Sequence, residues 1–191
     1  PYAVIAGMFG RHPQPNLELK IANKNIEALL NQDEDMLYPN SIDNPPEQYV
    51  KVSFEIQGMN QSNVIAREMF MSAEVLSDGS EYNKVRFSNY NQMEVITGIE
   101  GQLNIITRPE LRLPPRGAIK FCNVEIVLSP FVDDDFRLEG VVGANNAMPK
   151  DFRIYIPKNK LRSFVAKVIR GEEDYNMIMN EFFNDYFRGE F

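Results

Sequence analysis

The chain holds one cysteine, one histidine and no tryptophan among its 191 residues. A single cysteine excludes a disulfide within the chain, so nothing marks it as a secreted disulfide scaffold. Cys122 and His12 alone cannot make a zinc site of the usual Cys/His kind. Any Ser-His or Cys-His nucleophile would have to use His12, which sits in the stretch RHPQPN and reads as a loop residue. Neither a GxxxxGK[ST] loop nor a GxGxxG turn is present, so nucleotide binding has no support. Long apolar runs are missing too. Ala3 to Phe9 is far shorter than the roughly 20 residues of a membrane span. It also lacks the basic residues that open a secretory signal. The chain therefore reads as soluble, cytoplasmic or within a virion, with no catalytic residue, no metal ligand, no cofactor and no membrane span.

Positive charge is also in short supply. Lys and Arg number 20 against 27 Asp and Glu, a net charge of −7. Such a balance repels nucleic acid at long range unless basic residues are gathered in one place. The hydrophobic content of 43% is ordinary for a folded domain and excludes a disordered chain. Pro1 implies a removed methionine or a cut precursor. An amino-terminal proline amine can act as a base, but nothing following it supplies a site, and it reads as chemically idle.

The main positive signal is alternation. Tyr49 to Gly58 sets Val50, Val52, Phe54 and Ile56 against Lys51, Ser53 and Glu55, the pattern of a half-buried strand. Similar runs cover Val64 to Leu76 (one long strand or two joined), Asn83 to Tyr90, Ala118 to Leu128, Phe136 to Val142 and Phe152 to Ile156. Gln92 to Ile99 and Gln102 to Arg108 flank Glu100-Gly101 as a hairpin. Three prolines make Pro109 to Gly117 a loop, and Gly143 to Lys150 reads as another. About eight strands separated by turn signals predict a mainly β fold, an antiparallel sandwich or jelly-roll-like barrel.

Helical spacing predicts elements at both ends. Ile26, Leu29 and Leu30 suggest a short helix over Asn23 to Leu37, with Asn25 as its cap. Leu161, Phe164, Val165 and Val168 suggest a second over Lys160 to Ile169, stopped by Gly171. Glu172 to Arg188 carries an apolar stripe and suggests an amphipathic third. The expected organisation is an arm, helix and linker over 1–46, a β domain over 47–158 and a helical segment over 159–191.

Two surfaces follow. The stripe Ile178, Met179, Phe182, Phe183, Tyr186 and Phe187 must be covered, by the chain's own sheet or by a neighbouring subunit. Arg153, Tyr155, Lys158, Lys160, Arg162 and Lys167 lie in a stretch, Lys150 to Arg170, whose only acid is Asp151. Basic residues interleaved with aromatics suit a phosphate backbone and stacked bases. The acidic tail after Gly171, ending in Phe191, resembles the tails of bacterial and phage single-strand DNA-binding proteins, though it is far richer in aromatics. Asp133, Asp134 and Asp135 read as a solvated turn, because adjacent carboxylates on an extended chain do not converge on a cation. The expected function is a non-enzymatic structural or assembly subunit in a homo- or hetero-oligomer, such as a virus particle component. The alternative is a single-stranded nucleic-acid binder with an OB-type barrel.

Overall fold

The computed structural model describes residues 13–30, 48–76, 83–88, 93–99, 102–107, 110–131, 134–171 and 174–185. Eleven strands and two helices lie in these stretches. In chain order the strands are β1 (Leu17–Leu30), β2 (Gln48–Asn60), β3 (Ala66–Arg67), β4 (Met69–Val75), β5 (Asn83–Ser88) and β6 (Met93–Ile99). They continue as β7 (Gln102–Thr107), β8 (Arg112–Leu113), β9 (Ala118–Leu128), β10 (Phe136–Ala144) and β11 (Ala147–Ile156). The helices are α1 (Lys158–Arg170) and α2 (Tyr175–Asp185). The fold is mainly β, and every strand pair is antiparallel.

One sheet runs β1-β2-β9-β5 and the other β11-β10-β4-β7-β6, with β3 and β8 a separate pair. Alternation assigns the faces. Val50, Val52, Phe54 and Ile56 of β2 stand opposite Leu128, Ile126, Val124 and Cys122 of β9, and all eight are buried. Met71 and Ala73 of β4 stand opposite Ile105 and Leu103 of β7 in the same way. Both inner faces feed one continuous apolar core, as the two layers of a β-sandwich do. The outer faces carry polar cross-strand pairs, including Lys120 with Glu55 at 2.7 Å and Arg153 with Glu139 at 3.1 Å.

Two glycines make room for rings inside this core. A Cβ on Gly140 would lie 2.3 Å from the Phe152 ring and 2.4 Å from the Ser72 carbonyl oxygen. A Cβ on Gly58 would lie 2.6 Å from the ring of Phe121, the extra residue where the β2–β9 register shifts. The Asn60 amide, fully buried, donates to the Val64 and Leu113 carbonyls and ties the end of β2 to β8.

The expected helix over Asn23 to Leu37 is corrected. Residues 17–30 form β1, paired along its length with β2, and residues 31–37 lie outside the described residues. Leu17 and Leu19 are buried in strict alternation, and the β1–β2 register then shifts between Ala22 and Asn25. Asn23 sits there at φ 50°, the left-handed region that asparagine tolerates. The irregularity breaks the period of two and leaves Ile26, Leu29 and Leu30 at a spacing that mimics a helix.

The remaining elements match in kind and differ at their ends. Val64 to Leu76 is two strands, broken at Glu68, which has φ 47°. The proline-rich loop contains the dipeptide strand β8. The expected loop Gly143 to Lys150 shrinks to the turn Asn145-Asn146, because β11 starts at Ala147 and carries Pro149 within it. A proline is tolerated there because β11 is an edge strand. Gly171 ends α1 at φ 62° and donates to the Lys167 and Val168 carbonyls. Among the described residues no helix is long and apolar enough to cross a membrane.

Candidate functional site

The two helices follow β11 and fold back on the inner face of the four-stranded sheet. Phe54 of β2 meets Phe183 of α2 edge to face at 5.9 Å, and Phe182 packs on Phe164 of α1 at 4.2 Å. Ile178, Phe182 and Phe183 are buried, and Met179 is half-buried against the same core. The Lys24 ammonium sits 5.0 Å from the Phe183 ring centre, closing the packing from β1. The stripe expected to dock a partner is thus turned inward on its own sheet at these four positions. Tyr186 and Phe187 lie outside the described residues.

The basic residues separate into two groups. Arg153 and Tyr155 occupy the outer face of β11, while Lys158, Lys160, Arg162 and Lys167 belong to α1. Lys158, Lys160 and Arg162 are exposed. Lys160 and Lys167 line a shallow cleft of about 130 Å³ between the helices, together with Ser163, Phe164, Ile178, Glu181 and Phe182. Lys167 bonds Glu181 at 3.3 Å. Tyr155 has the Arg137 and Arg153 guanidinium carbons at 5.3 and 5.4 Å from its ring centre. Its ring is already held by cations, and Arg153 is itself paired with Glu139.

Asp135 departs from its expected role as a solvated turn residue. It accepts the Tyr155 hydroxyl at 2.8 Å on one oxygen and the Lys158 backbone N–H at 2.9 Å on the other. Lys158 opens α1, and the preceding Pro157 has no side chain able to cap it. Asp135 thus caps the helix from the start of β10, 23 residues away in sequence. The Lys158 N–H and then the Tyr155 hydroxyl hold its carboxyl below the ordinary carboxylate value, and the same bond raises the Tyr155 phenol. Asp134 is half-buried and Asp133 lies outside the described residues. Among the described residues no three His, Cys, Asp or Glu side chains stand together as a metal site. The Cys122 thiol is buried and pushed up to about 12 by desolvation, so it is not a thiolate nucleophile near neutral pH.

What the topology leaves outward is strand edges. Sequence reasoning did not reach them, because an edge is defined by pairing rather than by local pattern. Among the described residues, three of the four outer strands of the two large sheets carry the usual blocking features. β1 has the Asn23 irregularity with exposed Lys20 and Lys24, and both helices contact it. β5 is only six residues long and includes Lys84 and Arg86. β11 has Pro149, Lys150, Asp151 and Arg153. The fourth, β6, reads MEVITGI: it has no proline and no basic residue, and Glu94 is its one charge. It shares a register shift, between Val95 and Thr97, and among the described residues it pairs with β7 alone.

No family model matches the chain, and no curated protein matches it. Among solved structures it is similar to BcpA, the major pilin subunit of Bacillus cereus, at 12% identity and a TM-score of 0.35, over 73% of this chain and 40% of that one. It is similar to AvmM, which catalyses macrocyclization in alchivemycin A biosynthesis, at 8% identity and a TM-score of 0.37, over 74% of this chain and 89% of that one. A third is the C-terminal domain of AspA, an antigen I/II-family protein of Streptococcus pyogenes, at 10% identity and a TM-score of 0.32, over 67% and 44% of the two chains. Likenesses of this size assign no function to the chain.

Proposed function

We propose that this β-sandwich is a non-catalytic subunit that works by binding further protein chains, its own copies first, within a larger assembly. The observation that carries the reading is the uneven protection of its edges. Among the described residues β1, β5 and β11 bear basic residues, and β11 a proline as well, whereas β6, which has a register shift of its own, has no proline, no basic residue and a single acid in its sequence. An edge of that kind offers a row of backbone donors and acceptors to another strand. Several described side chains of the kinds that carry chemistry have structural partners or are buried. Cys122 is buried, Asp135 caps α1, and Glu55, Glu139 and Glu181 each hold a cation. A virus particle is one setting for such a subunit.

Sedimentation velocity with and without single-stranded DNA tests this reading. The expected result is an oligomer whose mass DNA does not change. Thr97→Lys with Ile99→Lys should reduce it to a monomer. Those two positions pair with Asn104 and Gln102, which lie outside the buried core, so the fold should survive, as circular dichroism will show. A monomer that gains mass only with DNA would overturn the reading in favour of nucleic-acid binding.

A further inference from the structure

We propose that Arg67 of β3 and Arg112 of β8 form a binding site for a doubly charged phosphate group. The site is separate from β6 and does not depend on how that edge is used. The β3–β8 ribbon consists of two residue pairs, Ala66 opposite Leu113 and Arg67 opposite Arg112. Ala66 and Leu113 are buried, so the two arginines share the other face of the ribbon, and both are exposed. Residues directly opposite on antiparallel strands have Cβ atoms about 4.5–5.5 Å apart, and like charges placed so repel. Among the described residues neither guanidinium is in an ion pair. The nearest acids in sequence are Glu68 and Glu110. The Glu68 carboxylate accepts the Asn145 side-chain amide at 2.8 Å, and Glu110 is exposed. The pair is thus a concentration of positive charge that an anion would relieve.

The backbone beneath the pair is fixed. The Arg67 N–H donates to the Asn146 side-chain oxygen at 3.1 Å, and the Arg67 carbonyl accepts the Asn145 N–H at 3.1 Å. The turn between β10 and β11 therefore clamps β3. The buried Asn60 amide donates to the Leu113 carbonyl at 3.2 Å and holds β8. Side chains carried on such a frame need little further ordering when a ligand arrives. A third cation follows three residues beyond β8. The Gly117 N–H donates to the Pro114 carbonyl at 3.0 Å, closing a turn with Arg116 in its third position at φ 57°. That conformation favours glycine or asparagine, and here it holds an exposed arginine.

The chemistry of two guanidiniums selects the anion. Each offers a planar fork of N–H donors. The two oxygens of one carboxylate are satisfied by a single fork, which leaves the second arginine uncompensated. A phosphate monoester, or free phosphate, brings close to two negative charges and three or more outer oxygens. Two forks can share it and both cations are neutralised. A phosphodiester carries one charge and two free oxygens, so a terminal phosphate fits this pair better than a nucleic-acid backbone does.

Calorimetric titration of the full chain with inorganic phosphate and with glycerol phosphate tests the proposal. The ionic strength is held constant with chloride, and the pH is about 8, where the second phosphate proton is lost. The expected result is one-to-one binding that weakens at least about tenfold in Arg67→Gln and in Arg112→Gln. The Lys158→Gln/Lys160→Gln chain should bind as the unaltered chain does. Tighter binding of the ester would assign the site to a phosphorylated molecule, and equal or weaker binding to free phosphate; both support the site. Binding that survives Arg67→Gln with Arg112→Gln, binding lost only with the two lysines of α1, or no binding at all overturns the inference. So does an oligonucleotide without terminal phosphates that displaces phosphate at equal phosphorus concentration. Circular dichroism checks that the glutamine variants fold. An unfolded variant would make the pair structural and would also overturn the inference, because an unpaired, repelling pair should leave the melting temperature unchanged or raised when one arginine is removed.

Discussion

Asp135 shows how one side chain can join three elements. Its two oxygens hold the hydroxyl of Tyr155 on β11 and the first N–H of α1, and it sits itself just ahead of β10. An aspartate is suited to this because an ionised carboxylate accepts strongly from a helix N-terminus. Its folded value lies below the ordinary 3.8. The stabilisation is therefore complete at pH values above that ordinary value and is lost as pH falls through the folded one. Asp135→Ala should cost about 1 kcal/mol near pH 7, as loss of a helix cap does. Urea unfolding of both proteins at about pH 7 and about pH 3 checks this, with the gap expected to narrow on acidification. A gap of the same size at both values would mean that the charge contributes nothing. The aspartate triplet is visible in the sequence, but the capping role is not, because its partner is a backbone N–H remote in the chain.

At the scale of elements, legibility followed period and failed where the period was interrupted. β2 alternates cleanly from Val50 to Ile56 and was readable residue by residue, whereas β9 was readable as an apolar strand whose alternation is interrupted by the extra residue Phe121. α1 was readable from its stripe Leu161, Phe164, Val165 and its glycine stop. β1 was misread because the irregularity at Asn23 offsets Ile26 from the alternation begun by Leu17 and Leu19. β11 was cut short because a proline argues against a strand unless the strand is known to lie at an edge. The α2 stripe was readable as apolar, but the sequence could not tell an inward from an outward stripe. The structure places Phe182 between Phe164 and Phe183, with no exposure. Phe182→Ala should therefore destabilise the chain by about 3–5 kcal/mol, the usual cost of emptying a phenylalanine site in a core. Urea unfolding of the purified variant measures it. Unchanged stability together with a lost oligomer would instead put the stripe against a partner.

At the scale of the whole molecule, two sheets and a helix pair enclose one core, and the surface differs from edge to edge. The acidic net charge of −7 keeps copies soluble and apart at long range, so association has to come from a specific contact. Two of the basic residues of β11 and α1 are paired with acids, Arg153 with Glu139 and Lys167 with Glu181. The outer face of the other sheet is likewise laced by Lys51 with Glu27 and Lys120 with Glu55. Against that background β6 is, among the described edge strands, the one whose sequence has neither a proline nor a basic residue, and it is the edge proposed to receive another strand. Hydrogen exchange followed by mass spectrometry, at rising protein concentration, tests this most directly. The account predicts that protection grows over residues 93–99 as the protein associates, while β1, β5 and β11 exchange as before. Protection that grows at β11 or over the α1–α2 pair, with β6 unchanged, would contradict it.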